Sequence, residues 1–159
     1  MKTSLKLLVL LSLFTFSCSQ SYKTVPIDGT SAKIKIYERD RVDKSDYSDG
    51  RGELMLGGKK KVRVIYEKIG EKKFPDNLDF LVKSLGQGKA KDKMKITEKH
   101  TLSNGVFGIT YINNDKPEKK HYVFYSKKGS EYIRFTNNEY YNTDLKHFDY
   151  VKSVMASIQ

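Results

Sequence analysis

The sequence GVFGITYI at residues 105–112 is followed by HYVFYS at 121–126 and EYIRFT at 131–136. All three segments are rich in β-branched and aromatic residues, which favour strands. The turn sequence NNDKP at 113–117 separates the first two segments, and KKG at 127–129 separates the last two. Because short links between neighbouring strands give antiparallel pairing, these segments predict a three-stranded meander.

Further strands are predicted on the N-terminal side of this meander. KIKIY at 33–37 and KVRVIY at 61–66 alternate polar and apolar residues, as half-buried strands do. ELML at 53–56 is placed to form a hairpin with 61–66 through a Gly-Gly turn, and MKIT at 94–97 is another strand candidate. The stretch 39–52 is polar, and its aspartates recur every third residue instead of at calcium-loop spacing. We therefore predict a solvated loop there.

Two stretches have apolar residues at helical spacing. The stripe of the first consists of Leu78, Leu81, Val82 and Leu85. Asp76 or Asn77 is placed to cap the start of this helix, and Gly86 is placed to end it. The final helix is expected to start at a cap formed by Asn142 or Thr143. Its apolar face consists of Leu145, Phe148, Val151, Val154 or Met155, and Ile158.

These elements predict an α+β fold, in which an antiparallel sheet with a C-terminal meander packs against two helices in two or three layers. The predicted domain covers residues 25–159, a length that suits one domain with one core.

The order of elements from residue 74 onward resembles the Mog1/PsbP-like family. A helix comes first, the strand and meander follow, and HFDYVKSVMASI at 147–158 ends the chain. The spacing of Phe148, Val151, Ser157 and Ile158 is similar to the cadence of the family's last helix. The resemblance implies a sandwich fold and a binding or assembly role. The family has no shared catalytic centre, so no functional residue is transferred from it.

The N-terminus carries an export signal. Lys2 and Lys6 precede LLVLLSLFTF at 7–16, and Ser17 and Cys18 follow it. A basic start, an apolar core and a small residue before the cut are typical of a signal peptide, here residues 1–17. A core of about ten residues is too short to span a bilayer, which needs roughly twenty.

Cys18, the only cysteine of the chain, makes the signal resemble that of a bacterial lipoprotein. The resemblance implies that Cys18 is acylated and becomes the mature N-terminus, with residues 18–24 as its tether. Thr15 departs from the usual aliphatic position, but FTFSC is similar to the relaxed motif of Bacteroidetes lipoproteins. The alternative is an ordinary signal peptide with a chance cysteine. Lipoproteins of that group that are exported to the cell surface tend to carry acidic residues just after the cysteine. This chain has none before Asp28, so the resemblance implies an outer membrane protein that faces the periplasm.

The chain is strongly basic. Its formal net charge of +11 falls to +9 once Lys2 and Lys6 are removed with the signal peptide. Export argues against a nucleic-acid partner. Three explanations stay open for the lysines, namely anionic lipid headgroups, an acidic protein partner, and a solvated surface that blunts strand edges.

No catalytic motif is evident in the sequence. His100, His121 and His147 are not spaced as metal ligands, and the chain has neither a nucleophile elbow nor a phosphate loop that opens a helix. We therefore predict that the protein is not an enzyme and holds no cofactor or metal. Tyr140 and Tyr141, with Arg134, are the predicted partner-binding residues, because aromatic and Arg side chains predominate in binding hot spots.

The leading hypothesis is a non-enzymatic envelope lipoprotein, which is attached through Cys18 and binds another envelope protein. The alternatives are a periplasmic immunity protein that neutralises a toxin, and a small-ligand binder or hydrolase. A neighbouring toxin gene would favour the immunity protein, and a deep pocket with convergent polar side chains would favour the ligand binder or hydrolase.

Overall fold

A seven-stranded antiparallel sheet organises this computed structural model, which describes residues 21–43, 50–57, 62–87, 92–137 and 147–159. The strands are β1 (Tyr22–Pro26), β2 (Lys33–Tyr37), β3 (Arg41–Asp43), β4 (Arg51–Leu56), β5 (Val62–Ile69), β6 (Met94–Thr101), β7 (Phe107–Asn113), β8 (Lys116–Lys128) and β9 (Glu131–Asn137). The helices are α1 (Leu78–Leu85) and α2 (Phe148–Ala156), with 3-10 turns at Glu71–Lys73 and Ser103–Gly105.

The large sheet has the order β3-β4-β5-β9-β8-β7-β6, and β1 and β2 form a separate two-stranded sheet. The predicted meander is confirmed, because β7, β8 and β9 pair antiparallel in succession. The predicted β4–β5 hairpin is confirmed as well. Pairing of β5 with β9 joins this hairpin to the meander. The fold class α+β is therefore correct.

Two predictions about the N-terminal half need correction. The stretch 39–52, predicted to be a loop, contains β3 and the start of β4. Val42 of β3 pairs with Leu54 of β4, so backbone pairing with a neighbour orders a segment whose side chains are mostly polar. Residues 22–24, predicted to belong to the tether, lie in β1, where Tyr22 pairs with Tyr37.

Helix α1 follows the predicted boundaries. The Asn77 side chain accepts a hydrogen bond of 2.8 Å from the backbone N–H of Phe80, and Gly86 is the C-cap. Helix α2 begins at Phe148, with His147 at its N-cap position. The predicted caps Asn142 and Thr143, and Leu145, lie outside the described residues.

The two faces of the large sheet pack against different layers. On one face, Tyr122 and Phe124 of β8 belong to the main core, which also includes β1, β2 and α2. On the other face, Val123 packs with Ile109 and Leu81 beneath α1. Successive strand residues point to opposite faces, so the single strand β8 supplies both cores. The result is a three-layer arrangement.

Helix α2 also closes the outer edge of β2. The backbone of Lys33 exchanges two hydrogen bonds with that of Gln159, at 3.1 and 2.9 Å. The Lys35 N–H donates to Ser157 Oγ at 2.8 Å, and the Tyr37 N–H donates to the Tyr150 hydroxyl at 2.8 Å. The Tyr150 side chain of α2, and Ser157 and Gln159 just after the helix, thus satisfy strand groups that a further strand would otherwise pair.

Candidate functional site

The residues predicted to act in binding and attachment are only partly described. Cys18, Tyr140 and Tyr141 lie outside the described residues. Arg134 lies on β9 and donates a hydrogen bond to the Glu67 carboxylate on β5, its register partner. Both side chains are partly exposed, so this pair is worth about 1 kcal/mol or less. Arg134 is therefore engaged within the sheet, although part of its guanidinium remains accessible.

The aromatic residues around Arg134 divide between the core and the α1 side of the sheet. Tyr122, Phe124 and Phe135 are fully or almost fully buried in the main core. Tyr132 is half-buried and donates a hydrogen bond of 2.8 Å to Glu71, while the Lys127 ammonium lies 5.2 Å from its ring centre. Of these four residues, only Tyr132 is therefore accessible to a partner.

The described domain begins close to the predicted attachment point. Strand β1 starts at Tyr22, four residues after Cys18. A fully extended chain spans at most about 3.6 Å per residue, so the Cα atom of Tyr22 lies within about 14 Å of that of Cys18. Strand β1 is therefore the described element that lies closest along the chain to Cys18.

A tyrosine stack stands at this end of the domain. The ring centres of Tyr22 and Tyr37 are 4.9 Å apart, and those of Tyr37 and Tyr150 are 4.0 Å apart with nearly parallel planes. The Arg39 guanidinium lies 5.4 Å from the Tyr37 ring centre, as in a cation–π contact. Tyr22 is 55% exposed, so the stack ends in an aromatic ring that meets solvent.

A buried carboxylate fixes the inner end of the stack. The Tyr150 hydroxyl donates a hydrogen bond of 2.6 Å to Asp40, which is 1% exposed. Burial raises the pKa of Tyr150, and the neighbouring Asp40 carboxylate raises it further. Burial also raises the pKa of Tyr37. Both phenols therefore have a pKa above the usual value, and the bond to Asp40 fixes the Tyr150 ring at the inner end of the stack.

Hydroxyl and lysine side chains lie on the outward surface beside the stack. In the register of β1 and β2, Thr24 pairs with Lys35 and Pro26 with Lys33. This surface borders an open groove of about 460 Å³. The groove is lined by Tyr22, Lys23, Thr24, Lys35, Ser153 and Ser157. We call the tyrosine stack, this groove, Lys33 and Arg39 the anchor-proximal face. It combines aromatic rings with cations, a composition that suits recognition of acidic surfaces.

The three histidines do not come together. His100 is buried, lies 2.7 Å from the Thr110 hydroxyl, and packs against the rings of Phe124 and Phe148. Burial lowers the pKa of His100, because it disfavours the imidazolium. His121 is buried and stacks on Tyr111. In the described part of the chain, no group of three His, Cys, Asp or Glu side chains is placed to hold a metal ion.

A lysine-lined pocket at the tip of the β7–β8 hairpin was not predicted from the sequence. It is lined by Lys93, Asn113, Asp115, Lys116, Lys119 and His121. The available signal was Lys116 within the NNDKP turn and Lys119 just after it, but Lys93 is distant in sequence from that turn.

The chain matches no family model, and no curated protein shows significant similarity to it. Among the residues that the structure describes, no helix has the length and hydropathy of a membrane span.

Proposed function

We propose that this protein is a lipoprotein of the bacterial envelope. Acyl chains on Cys18 hold its α+β domain at the periplasm-facing side of the outer membrane. The observation that carries the proposal is the order of the N-terminal sequence, in which a basic start, an apolar core and Ser17 lead to the single cysteine.

We further propose that the domain is a non-enzymatic binding module, and that the anchor-proximal face meets an acidic envelope protein. The exposed ring of Tyr22 and the cations of Lys35 and Arg39 support this choice of surface. The arrangement of α1, the meander and α2 supports the resemblance to the Mog1/PsbP-like fold, whose members are mostly binding or assembly modules.

Replacement of the cysteine tests the attachment. We expect Cys18→Ala to abolish incorporation of labelled palmitate and to move the protein from the membrane fraction to the soluble fraction. Ser17→Ala keeps a small residue before the cysteine and should leave both properties unchanged. Unchanged labelling and membrane association of Cys18→Ala would show that the protein is not a lipoprotein attached at this residue.

Photo-crosslinking in intact cells tests the binding surface. Tyr22 and Phe80 are the exposed large hydrophobic residues in the described part of the chain, at 55% and 52%. We expect a crosslinkable residue at Tyr22, but not at Phe80 on α1, to give a discrete protein adduct. The additional substitution Lys35→Glu should reduce that adduct, because it reverses a charge on the same face. Equal adducts from both positions, or no effect of Lys35→Glu, would contradict the proposed face.

A further inference from the structure

The hairpin-tip pocket, lined by the six residues named above, concentrates positive charge. It has a volume of about 270 Å³. Three of its lining residues, Lys93, Lys116 and Lys119, are cationic, and Asp115 is the acidic one. No ion pair joins any of these four side chains to another residue in the described part of the chain. The charges of three lysines that line one small space repel each other, and an anion bound among them would relieve that repulsion.

A break in the strand register brings two of the lysines to the pocket. Ile112 of β7 pairs with Lys120 of β8, whereas the next residue, Asn113, pairs with Lys116. Residues 117–119 therefore have no partner on β7. In a regular strand, side chains three positions apart point to opposite faces, so Lys116 and Lys119 would diverge. The bulge allows both to line one pocket, and bulges commonly re-aim side chains at functional sites.

Asn114 fixes the third lysine against the hairpin. Its backbone N–H donates a hydrogen bond of 2.8 Å to the carbonyl oxygen of Lys93. Its side-chain amide donates a second bond of 2.9 Å to the carbonyl oxygen of Asp92. Two bonds from one turn residue thus hold the segment before β6 in place. The backbone that carries Lys93 is therefore fixed beside the hairpin tip.

The wall of the pocket is polar and rigid. His121 is 2% exposed, and its ring stacks on Tyr111 with a centre-to-centre distance of 5.3 Å. The side-chain nitrogens of Asn113 and Asn137 each lie 3.4 Å from a ring nitrogen of His121. Asn113 lines the pocket together with the three lysines, so a polar amide side chain adds to their charge.

We propose that the hairpin-tip pocket binds a phosphate monoester group. Three lysines against one aspartate leave a surplus of two positive charges, which matches a phosphate dianion. Lysine binds phosphate as a point charge, and a phosphate dianion gains more from three such charges than a singly charged carboxylate does. The volume lies below the usual range of about 300–1,000 Å³ for drug-sized ligands, so the pocket suits a compact headgroup. This proposal does not depend on the acylation of Cys18.

Calorimetric titration of the full mature chain with inorganic phosphate tests the proposal. We expect saturable binding at constant ionic strength, with no comparable signal from chloride. Lys116→Gln combined with Lys119→Gln should weaken binding about tenfold or more, because each lysine supplies a charge-assisted hydrogen bond. Lys72→Gln combined with Lys73→Gln removes the same charge from an exposed turn and should leave binding unchanged. Thermal unfolding of both variants verifies that they are folded.

Three results would overturn the proposal: no saturable binding by the unaltered chain, equal loss in both double variants, and no loss in the Lys116/Lys119 variant. Vesicles separate the two sources of the phosphate, with Cys18→Ala in the mature chain so that acyl chains cannot insert into either vesicle. Protein that binds vesicles containing phosphatidic acid, but not vesicles of phosphatidylcholine alone, takes its phosphate from a lipid headgroup. Protein that binds inorganic phosphate but neither vesicle takes it from a soluble ester.

Discussion

The Tyr150 hydroxyl joins three parts of the fold, and its removal gives a sharp test of the structure. It lies on α2, donates a hydrogen bond of 2.6 Å to buried Asp40, and accepts one of 2.8 Å from the backbone of Tyr37 on β2. Substitution Tyr150→Phe removes both bonds. It retains the ring that stacks on Tyr37 at 4.0 Å, so the change isolates the hydroxyl from the packing.

The expected loss follows from the two bonds. A hydrogen bond to a charged group contributes about 1.5–3 kcal/mol, and a neutral one contributes about 0.5–1.5 kcal/mol. The Asp40 carboxylate and the Tyr37 N–H each lose a hydrogen-bond partner in a partly buried place. We therefore expect Tyr150→Phe to reduce the free energy of unfolding by about 2–4 kcal/mol. A loss of this size is a large part of the stability of a domain of this length.

Urea unfolding of the mature chain with Cys18→Ala, followed by far-UV circular dichroism, measures this loss without detergent. Tyr22→Phe is the matched control, because it removes a hydroxyl from the exposed end of the same stack and should change stability by less than about 0.5 kcal/mol. A loss below 0.5 kcal/mol for Tyr150→Phe, with an unchanged denaturant slope, would refute the reasoning. So would equal losses in the two variants.

Three further predictions concern the sheet and its surface. Tyr122 is buried and its hydroxyl has no hydrogen-bond partner in the described residues, so Tyr122→Phe should leave the urea midpoint unchanged or raise stability by about 1 kcal/mol. A methyl group at Gly108 would overlap the Val123 carbonyl oxygen on β8, so Gly108→Ala should cost about 1–3 kcal/mol in the same assay; no loss would contradict the β7–β8 register. Hydrogen bonds from Lys68 and from Ser31 lower the pKa of Glu131 to about 2, below its usual 4.5. The stability from this group is therefore present above pH 4.5 and lost as the pH falls toward 2. Glu131→Gln should flatten the dependence of the urea midpoint on pH in that window, and an unchanged slope would contradict it.

Much of the fold could be read from local patterns. Alternation predicted β2 and β5, β-branched and aromatic runs with short turns predicted β7, β8 and β9, and helical spacing predicted α1 and the buried side of α2. These elements are predictable from local sequence, because the spacing of their apolar residues indicates both the type of element and its buried face. Both ends of α1 were also predictable, since Asn77 caps the first turn and Gly86 is the C-cap.

The candidate sites were less predictable. The partners of Arg134 and Lys93 depend on strand register, which no local pattern specifies. Glu67 is distant in sequence from Arg134, but their strands pair and place the two side chains opposite each other. The bulge that brings Lys116 and Lys119 together is a property of the β7–β8 pairing, and the sequence of β8 alone predicts that they diverge.

The sequence by itself predicted the meander and the apolar faces of both helices, because each depends on residues within a few positions of one another. Attachment at Cys18 also depends on local sequence alone and stays a prediction. Only the tertiary structure decided that β1 and β3 exist, that α2 closes the edge of β2 through Tyr150, and that three lysines share a pocket. Strands β1 and β3 are ordered by backbone pairing with β2 and β4, and the contact of Tyr150 with β2 joins residues 113 positions apart. These features depend on pairing and packing between elements, so no pattern within one segment predicts them.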